Sequence, residues 1–423
     1  MTSGSSPGSL AGGKPPGPEV RERTRGPFRR MAYVLAVTSF GAGLPTPLYA
    51  TYQQQFGFSS TVLAEVFATY TLGVLLTMFL LAPQIDLVGT RPVLYVGMVL
   101  TALSGVVFIF STNAPMLAAA RLVSGLAVGA TTSTATVAMT HREPRADQHH
   151  VARVAVGANF GGVACGIFLG GVSVALLPDP RHEVFLFLIA ASLLGILAVR
   201  ISPPHPHPER GRGARIERVS VPRAIRGPFW VAVGGLMACY AIYGFFASLA
   251  PTAVEHAMRV SGSLAAVFVA VMFASAALVQ MFLGKLRDRN ALLLGLPLLA
   301  ASLVLFVLAL PFASIPLMLL AGTLMGIGVG CVYMGSVTLV DRVTPESMGG
   351  EVLSGFYVAG YLALAVPTLG LGLVADSLGV VASGSIFGLA LGAFVILTYF
   401  ATRRTPLPPG GEGRPLPTNR GAT

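Results

Sequence analysis

The sequence predicts an all-α polytopic membrane protein, with twelve transmembrane helices in two pseudo-symmetric six-helix bundles. Three observations carry that expectation. Long apolar runs lack charge, Lys and Arg fall on one side of the predicted membrane, and two motifs recur 201–202 residues apart. Only 11% of the 423 residues are charged and 54% are hydrophobic, against about 25% charged in typical soluble domains. Most charge-free runs approach or exceed the ~20 residues that a helix needs to cross ~30 Å of hydrocarbon. None alternates as a barrel strand would.

The elements follow in order. Residues 1–28 are rich in Gly, Ser and Pro and then basic, without the apolar core and cleavage site of a signal peptide. They read as a disordered cytoplasmic tail, and the first span as an uncleaved anchor. Spans are expected near 30–51, 61–83, 92–111, 115–139, 152–176 and 183–200, with "STNAP" (111–115) separating the third from the fourth. A second set is expected near 227–253, 264–285, 291–310, 316–340, 351–374 and 379–401, with "PFASIP" (311–316) dividing the ninth from the tenth. The polar, Pro- and Gly-rich stretch 201–226 lies between the sets. Bundles at 29–200 and 227–402, a cytoplasmic linker and a C-tail at 403–423 are therefore expected. His205 and His207 alternate with prolines in that linker, and extended chain of this kind does not converge metal ligands.

Placing the N-terminus inside puts 25 of the 28 Lys and Arg on cytoplasmic segments or edges. Both termini are thus expected in the cytoplasm, with the chain in the plasma (cell inner) membrane. The net charge of +11 follows from that topology and from contact with anionic lipid. The basic tails lack interleaved aromatics, so no nucleic acid is expected. Cys165, Cys239 and Cys331 sit singly in three spans, which suits packing rather than disulfides or a metal cluster.

An internal repeat supports the six-and-six division. "APQIDLVGTR" (82–91) follows span two and "GKLRDRNALL" (284–293) follows span eight, with Asp86 and Asp288 202 positions apart. "RLVSGLAVG" (121–129) in span four aligns with "GTLMGIGVG" (322–330) in span ten, so Gly125 maps to Gly326 and Gly129 to Gly330. With these residues the chain resembles the major facilitator superfamily over nearly all of 29–402, most closely its twelve-span drug/proton antiporter-like group. The family signature after span two is Gly-x-x-x-Asp-Arg-x-Gly-x-Arg. Asp86, Gly89 and Arg91 match it, while Ala82 and Leu87 replace its first Gly and first Arg. The second copy keeps Gly284, Asp288 and Arg289.

Asp86 can set a carboxylate against a helix N-terminus, Gly89 permits a tight turn, and Arg91 supplies a counter-charge. The resemblance implies that this loop meets the start of span eleven, near "ESMGGEVL" (346–353), and latches the outward-facing state. Asp288 and Arg289 are the second copy of that gate. The bland alternative is a solvated turn. Arg121 lies inside span four and its repeat counterpart is Gly322, so the twofold architecture does not require it. A charge there costs at least ~2.5–3.5 kcal/mol and normally faces a cavity or a partner. The family's span-four Arg implies a role in proton coupling or substrate charge. Glu65 is a second candidate proton carrier, or an interfacial acid. Gly125, Gly129, Gly162, Gly166, Gly170 and Gly171 read as close helix-packing positions. The last four also resemble an antiporter motif in which Ile167 stands where the family has Pro. Asn159, Tyr240, Tyr243, Gln280, Tyr333, Tyr357 and Tyr361, with Phe245 and Phe246, are candidates to line a cavity for a bulky, partly apolar substrate.

The expected function is secondary transport by alternating access, as proton-coupled efflux of a small amphipathic compound. No G-x-x-x-x-G-K-[ST] stretch exists, so the proton gradient rather than ATP is the expected energy source and no cofactor is expected. The expected partners are a small-molecule substrate, protons and the lipid bilayer, and a monomer is expected. Uptake of a polar or anionic metabolite by symport or uniport is the alternative, followed by a transport-inactive sensor. No nucleophile or paired-acid constellation suggests an enzyme.

Overall fold

The computed structural model describes residues 18–143, 147–203, 225–282, 288–344 and 349–406; the side chains of 18–25, 79–88, 148, 149, 288 and 349–351 are outside that description. Every described element is helical. The first bundle comprises α1 (Pro18–Gly43), a 3₁₀ turn (Thr46–Leu48), α2 (Tyr49–Phe56), α3 (Ser60–Val88), α4 (Thr90–Ile109), α5 (Ala114–Thr140), α6 (Gln148–Leu176) and α7 (Pro180–Arg200). The second comprises α8 (Arg226–Ser248), α9 (Ala250–Met258), α10 (Gly262–Phe282), α11 (Asp288–Phe312), α12 (Ile315–Val343), α13 (Gly349–Leu378) and α14 (Val380–Arg404). Twelve crossings result: α1 with α2 forms the first, and the seventh is α8, broken at Ser248, where the chain continues as α9 beyond the apolar span. An even number puts both chain ends on one face, called here the terminal face. The linker at 204–224 and the tails at 1–17 and 407–423 lie outside the described residues.

Proline chemistry explains the two broken crossings. Pro45 and Pro47 cannot donate to the carbonyls of Gly41 and Gly43, and Pro251 cannot donate to that of Ala247. The chain turns at both places and resumes as a short helix. Each short helix ends in a left-handed residue, Gly57 (φ 67°) and Arg259 (φ 52°), 202 positions apart. The repeat extends to helix starts. Asn113 Oδ1 accepts from Met116 N ahead of α5 at 3.0 Å, and Ser314 Oγ accepts from Leu317 N ahead of α12 at 3.4 Å. A proline follows two residues after each cap.

Glycines set the closest helix approaches. A Cβ at Gly125 would overlap the Tyr70 carbonyl oxygen of α3, and one at Gly326 would overlap the Met272 carbonyl oxygen of α10, the same contact in each bundle. Gly129 packs likewise on Thr77, while Gly162 and Gly166 seat α6 on α1 and Gly170 seats it on Leu44 and Pro47 just beyond. Gly171 differs: it faces Ala266 and Ser263 of α10, in the other bundle. The bundles meet along α6 with α10 and along α3 with α13. On the outside, Leu186, Phe187, Leu193, Leu194 and Leu197 of α7 are exposed, as are Phe282, Leu373, Leu389 and Leu397. Such a surface is stable against hydrocarbon, where water would penalise it.

On the terminal face, three arginines converge on the end of α7. Arg30 donates to the Ile201 carbonyl at 3.3 Å, Arg91 to that of Arg200, and Arg142 to that of Pro203 at 3.2 Å. They satisfy carbonyls that a helix C-terminus leaves free, and their charge complements its dipole. Arg142 also donates to Ala138 at 2.9 Å, and its burial lowers the pKa of its guanidinium.

Candidate functional site

The break in the first crossing positions the most deeply buried cation among the described residues. Thr46, between the two prolines, does not continue the α-helical ladder, and Arg121 Nη1 donates to the Ala42 carbonyl at 2.8 Å. Its Nε donates to the Tyr49 hydroxyl, and Nη2 has no partner. The guanidinium carbon lies 5.1 to 5.9 Å from the ring centroids of Tyr49, Phe67, Tyr70 and Phe108, close enough for cation–π attraction. Arg121 is 1% exposed and forms no ion pair among the described residues. It therefore both stitches the broken helix and holds an unbalanced charge within the first bundle.

Next to it, partly uncovered aromatic side chains mark a space between the bundles. Tyr70, Tyr333, Tyr357 and Tyr361 are deep in the protein, yet each keeps part of its surface uncovered, as residues lining an internal space do. Phe160 of α6 crosses the interface to Tyr243 (5.4 Å between ring centroids) and Tyr333 (5.5 Å). Tyr240 meets Tyr361 edge-on at 5.1 Å, and Tyr243 stacks on Phe273 at 5.2 Å. Tyr70 of α3 and Tyr361 of α13 lie on helices that pack together across the bundle interface. The Tyr243 hydroxyl and Gln280 Nε2 are buried with no hydrogen-bond partner. Asn159, beside Phe160, is half-buried. Among the described residues, aromatic faces and neutral polar atoms make up this lining, and no acid does.

Other expected residues fall elsewhere. Phe245 and Phe246 do not line the cavity: they pack with Phe306 and Phe387 inside the second bundle. Glu65 is exposed, one turn into α3. The side chains of Asp86 and Asp288 and most of 346–353 lie outside the described residues. Gly89 caps α4 with φ 85°, a value that glycine tolerates best. Arg91 binds α7 of its own bundle, and Arg289 is exposed.

A residue not singled out from the sequence closes the face opposite the termini. Asp376, near the end of α13, accepts from the backbone N–H of Ser60 (2.7 Å) and Thr61 (3.0 Å), the first residues of α3. The carboxylate thus caps a helix of the other bundle. Below it, a Cβ at Gly372 would press on Ala64 and the Ser60 carbonyl. Thr46 Oγ1 donates to the Ala247 carbonyl, freed by Pro251, at 3.1 Å, so the two broken crossings also join here. The readable signal was a repeated Asp-x-x-Gly. Asp376 precedes Gly379 (φ 88°, capping α14) as Asp86 precedes Gly89.

Residues 31–368 match the sequence profile described as Major Facilitator Superfamily. Among solved structures, the fold is similar to that of a D-xylose-proton symporter, with a TM-score of 0.74 and 13% identity over 90% of this chain and 98% of that one. It is also similar to a mutant of the nucleoside transporter NupG, with a TM-score of 0.69 and 12% identity over 91% and 99% of the chains. No curated protein matches in sequence.

Proposed function

The chain belongs to the major facilitator superfamily, and from that premise we propose that it exports a small amphipathic compound by alternating access, driven by the proton gradient. The observation that carries this reading is the uncharged, aromatic-lined cavity between two bundles that meet at the face opposite the termini. Rocking the bundles apart at that face, and together at the terminal face, would move the cavity's contents across. The bias of Lys and Arg supports cytoplasmic termini in the plasma membrane, and the reading takes a monomer as the working unit. It places the chain with the drug/proton antiporters of the family. Arg121 serves as the coupling or substrate-charge site, and the Asp86 loop as the latch on the terminal face.

Reconstituted vesicles with an imposed pH gradient test this. The reading expects counterflow of protons against a fluorescent amphipathic compound, with opposite signs of pH change for the two gradient directions. A second reading has a specific observation behind it. Glu65 is exposed and no acid lines the cavity among the described residues, which favours uptake of a polar or anionic metabolite by uniport over the symport that is its other form. Equal flux with and without the pH gradient would select it.

A further inference from the structure

Arg121 is a buried cation that no nearby group balances. It forms no ion pair among the described residues, and its Nη2 is free of any partner. Its contacts are a hydroxyl, a carbonyl oxygen and ring faces. Removing a charge from water without pairing it is costly, so an anion in the neighbouring space is favoured over a neutral or cationic ligand.

Tyr70 links that charge to the cavity. Its ring is 5.8 Å from the guanidinium carbon, and its helix α3 packs across the bundle interface on α13, which carries Tyr361. A ligand ring stacked on Tyr70 at ~3.5 Å would lie on the order of 10 Å from the guanidinium. At that distance and an effective dielectric of ~20, a unit charge changes binding by roughly tenfold, in favour of anions and against cations. Among the described residues, no acid of the lining reverses that sign. Gln280 Nε2 is a donor without an acceptor, and the Tyr243 hydroxyl is unpartnered as well.

Building on the transport reading above, we propose that the cargo is an aromatic compound bearing an anionic group. The unpaired charge of Arg121 selects it against organic cations. Its ring lies among Tyr70, Phe160, Tyr243 and Tyr361, and its polar substituents take the free donors.

Three probes sharing one ring system test this: 2-naphthoate, 2-naphthamide and 2-naphthyltrimethylammonium, with charges of about −1, 0 and +1. Equilibrium binding is measured on the full chain in lipid nanodiscs. The expected order is naphthoate roughly tenfold tighter than the amide, and the cation roughly tenfold weaker. Arg121→Gln should bring the naphthoate-to-amide ratio close to one, while Arg121→Lys keeps most of the preference; size-exclusion profiles verify that both fold. The wild-type ranking stands without either variant. The proposal is overturned if the cation binds as tightly as naphthoate, if the wild-type ratio is under about two, if Arg121→Gln leaves the ratio unchanged, or if no probe binds at millimolar concentration. Vesicle flux of labelled naphthoate separates the two readings. Naphthoate bound with the expected preference yet not moved contradicts transport alone, and flux without charge preference contradicts the anion site alone.

Discussion

Arg121 does two jobs that are separable by substitution. Its bond to the Ala42 carbonyl completes the broken first crossing, and its charge faces the rings around the cavity. Arg121→Ala should abolish coupled transport while the chain still inserts, measured as vesicle flux at matched expression. Losing the donor to a buried carbonyl should cost about 1–3 kcal/mol of stability. Glu255 offers a test of a different kind. It lies on α9 beyond the apolar span, its Oε2 is buried without a partner, and burial pushes its carboxyl pKa up while His256 pulls it partly down. A carboxyl raised in the folded state contributes stability below its ordinary pKa and loses it as pH rises through the raised value. Glu255→Gln should therefore raise the melting temperature at pH near 7.5 and change it little near pH 4, read from thermal unfolding at both. Arg259 holds a left-handed backbone where the first bundle has Gly57. Arg259→Gly should stabilise by up to about 1 kcal/mol, visible in the same assay.

At the scale of elements, α3 and α13 carry the closure opposite the termini. A carboxylate on the N-terminus of an exposed helix contributes ~0.3–1 kcal/mol. That is enough to bias two states of similar energy and too little to lock one. Removing it with Asp376→Ala should loosen the contact above Ala64, which is fully buried against α13. A cysteine introduced at Ala64 should then react severalfold faster with a membrane-impermeant maleimide in the Asp376→Ala background. Unchanged labelling would mean that packing at Gly372, rather than the cap, holds this face. The repeated Asp-x-x-Gly falls near the end of α13 on one face and, as residues 86–89, at the end of α3 on the other. Alternating access would use such an arrangement by making one cap as the other breaks.

At the scale of the whole molecule, two bundles share one plan, and much of that plan was legible in the sequence. Charge gaps located the twelve crossings because hydrocarbon tolerates so few charges, and the offset of Gly125 and Gly326 forecast the same close helix approach in both bundles. The breaks after Gly43 and Ser248 were less visible: apolar composition runs through them, although Pro45, Pro47 and Pro251 were in plain sight. Tyr240, Tyr243, Tyr333 and Tyr361 stood out in the sequence as polar atoms on apolar spans, and the structure sets their rings against one another and Phe160. Phe245 and Phe246 next to them were not separable by sequence, since which helix face looks inward is decided by packing partners. Asp376 escaped because its partners are more than 300 residues away.

Paired distances on the two faces test alternating access most directly. Native Cys165, Cys239 and Cys331 are free and are replaced first. Spin labels then go on exposed Gln55 and Ser261 at one face, and on exposed Ala152 and Arg289 at the other. On adding substrate under a pH gradient, alternating access predicts that the Gln55–Ser261 distance lengthens as the Ala152–Arg289 distance shortens. Two distances that stay fixed, or that lengthen together, would contradict it.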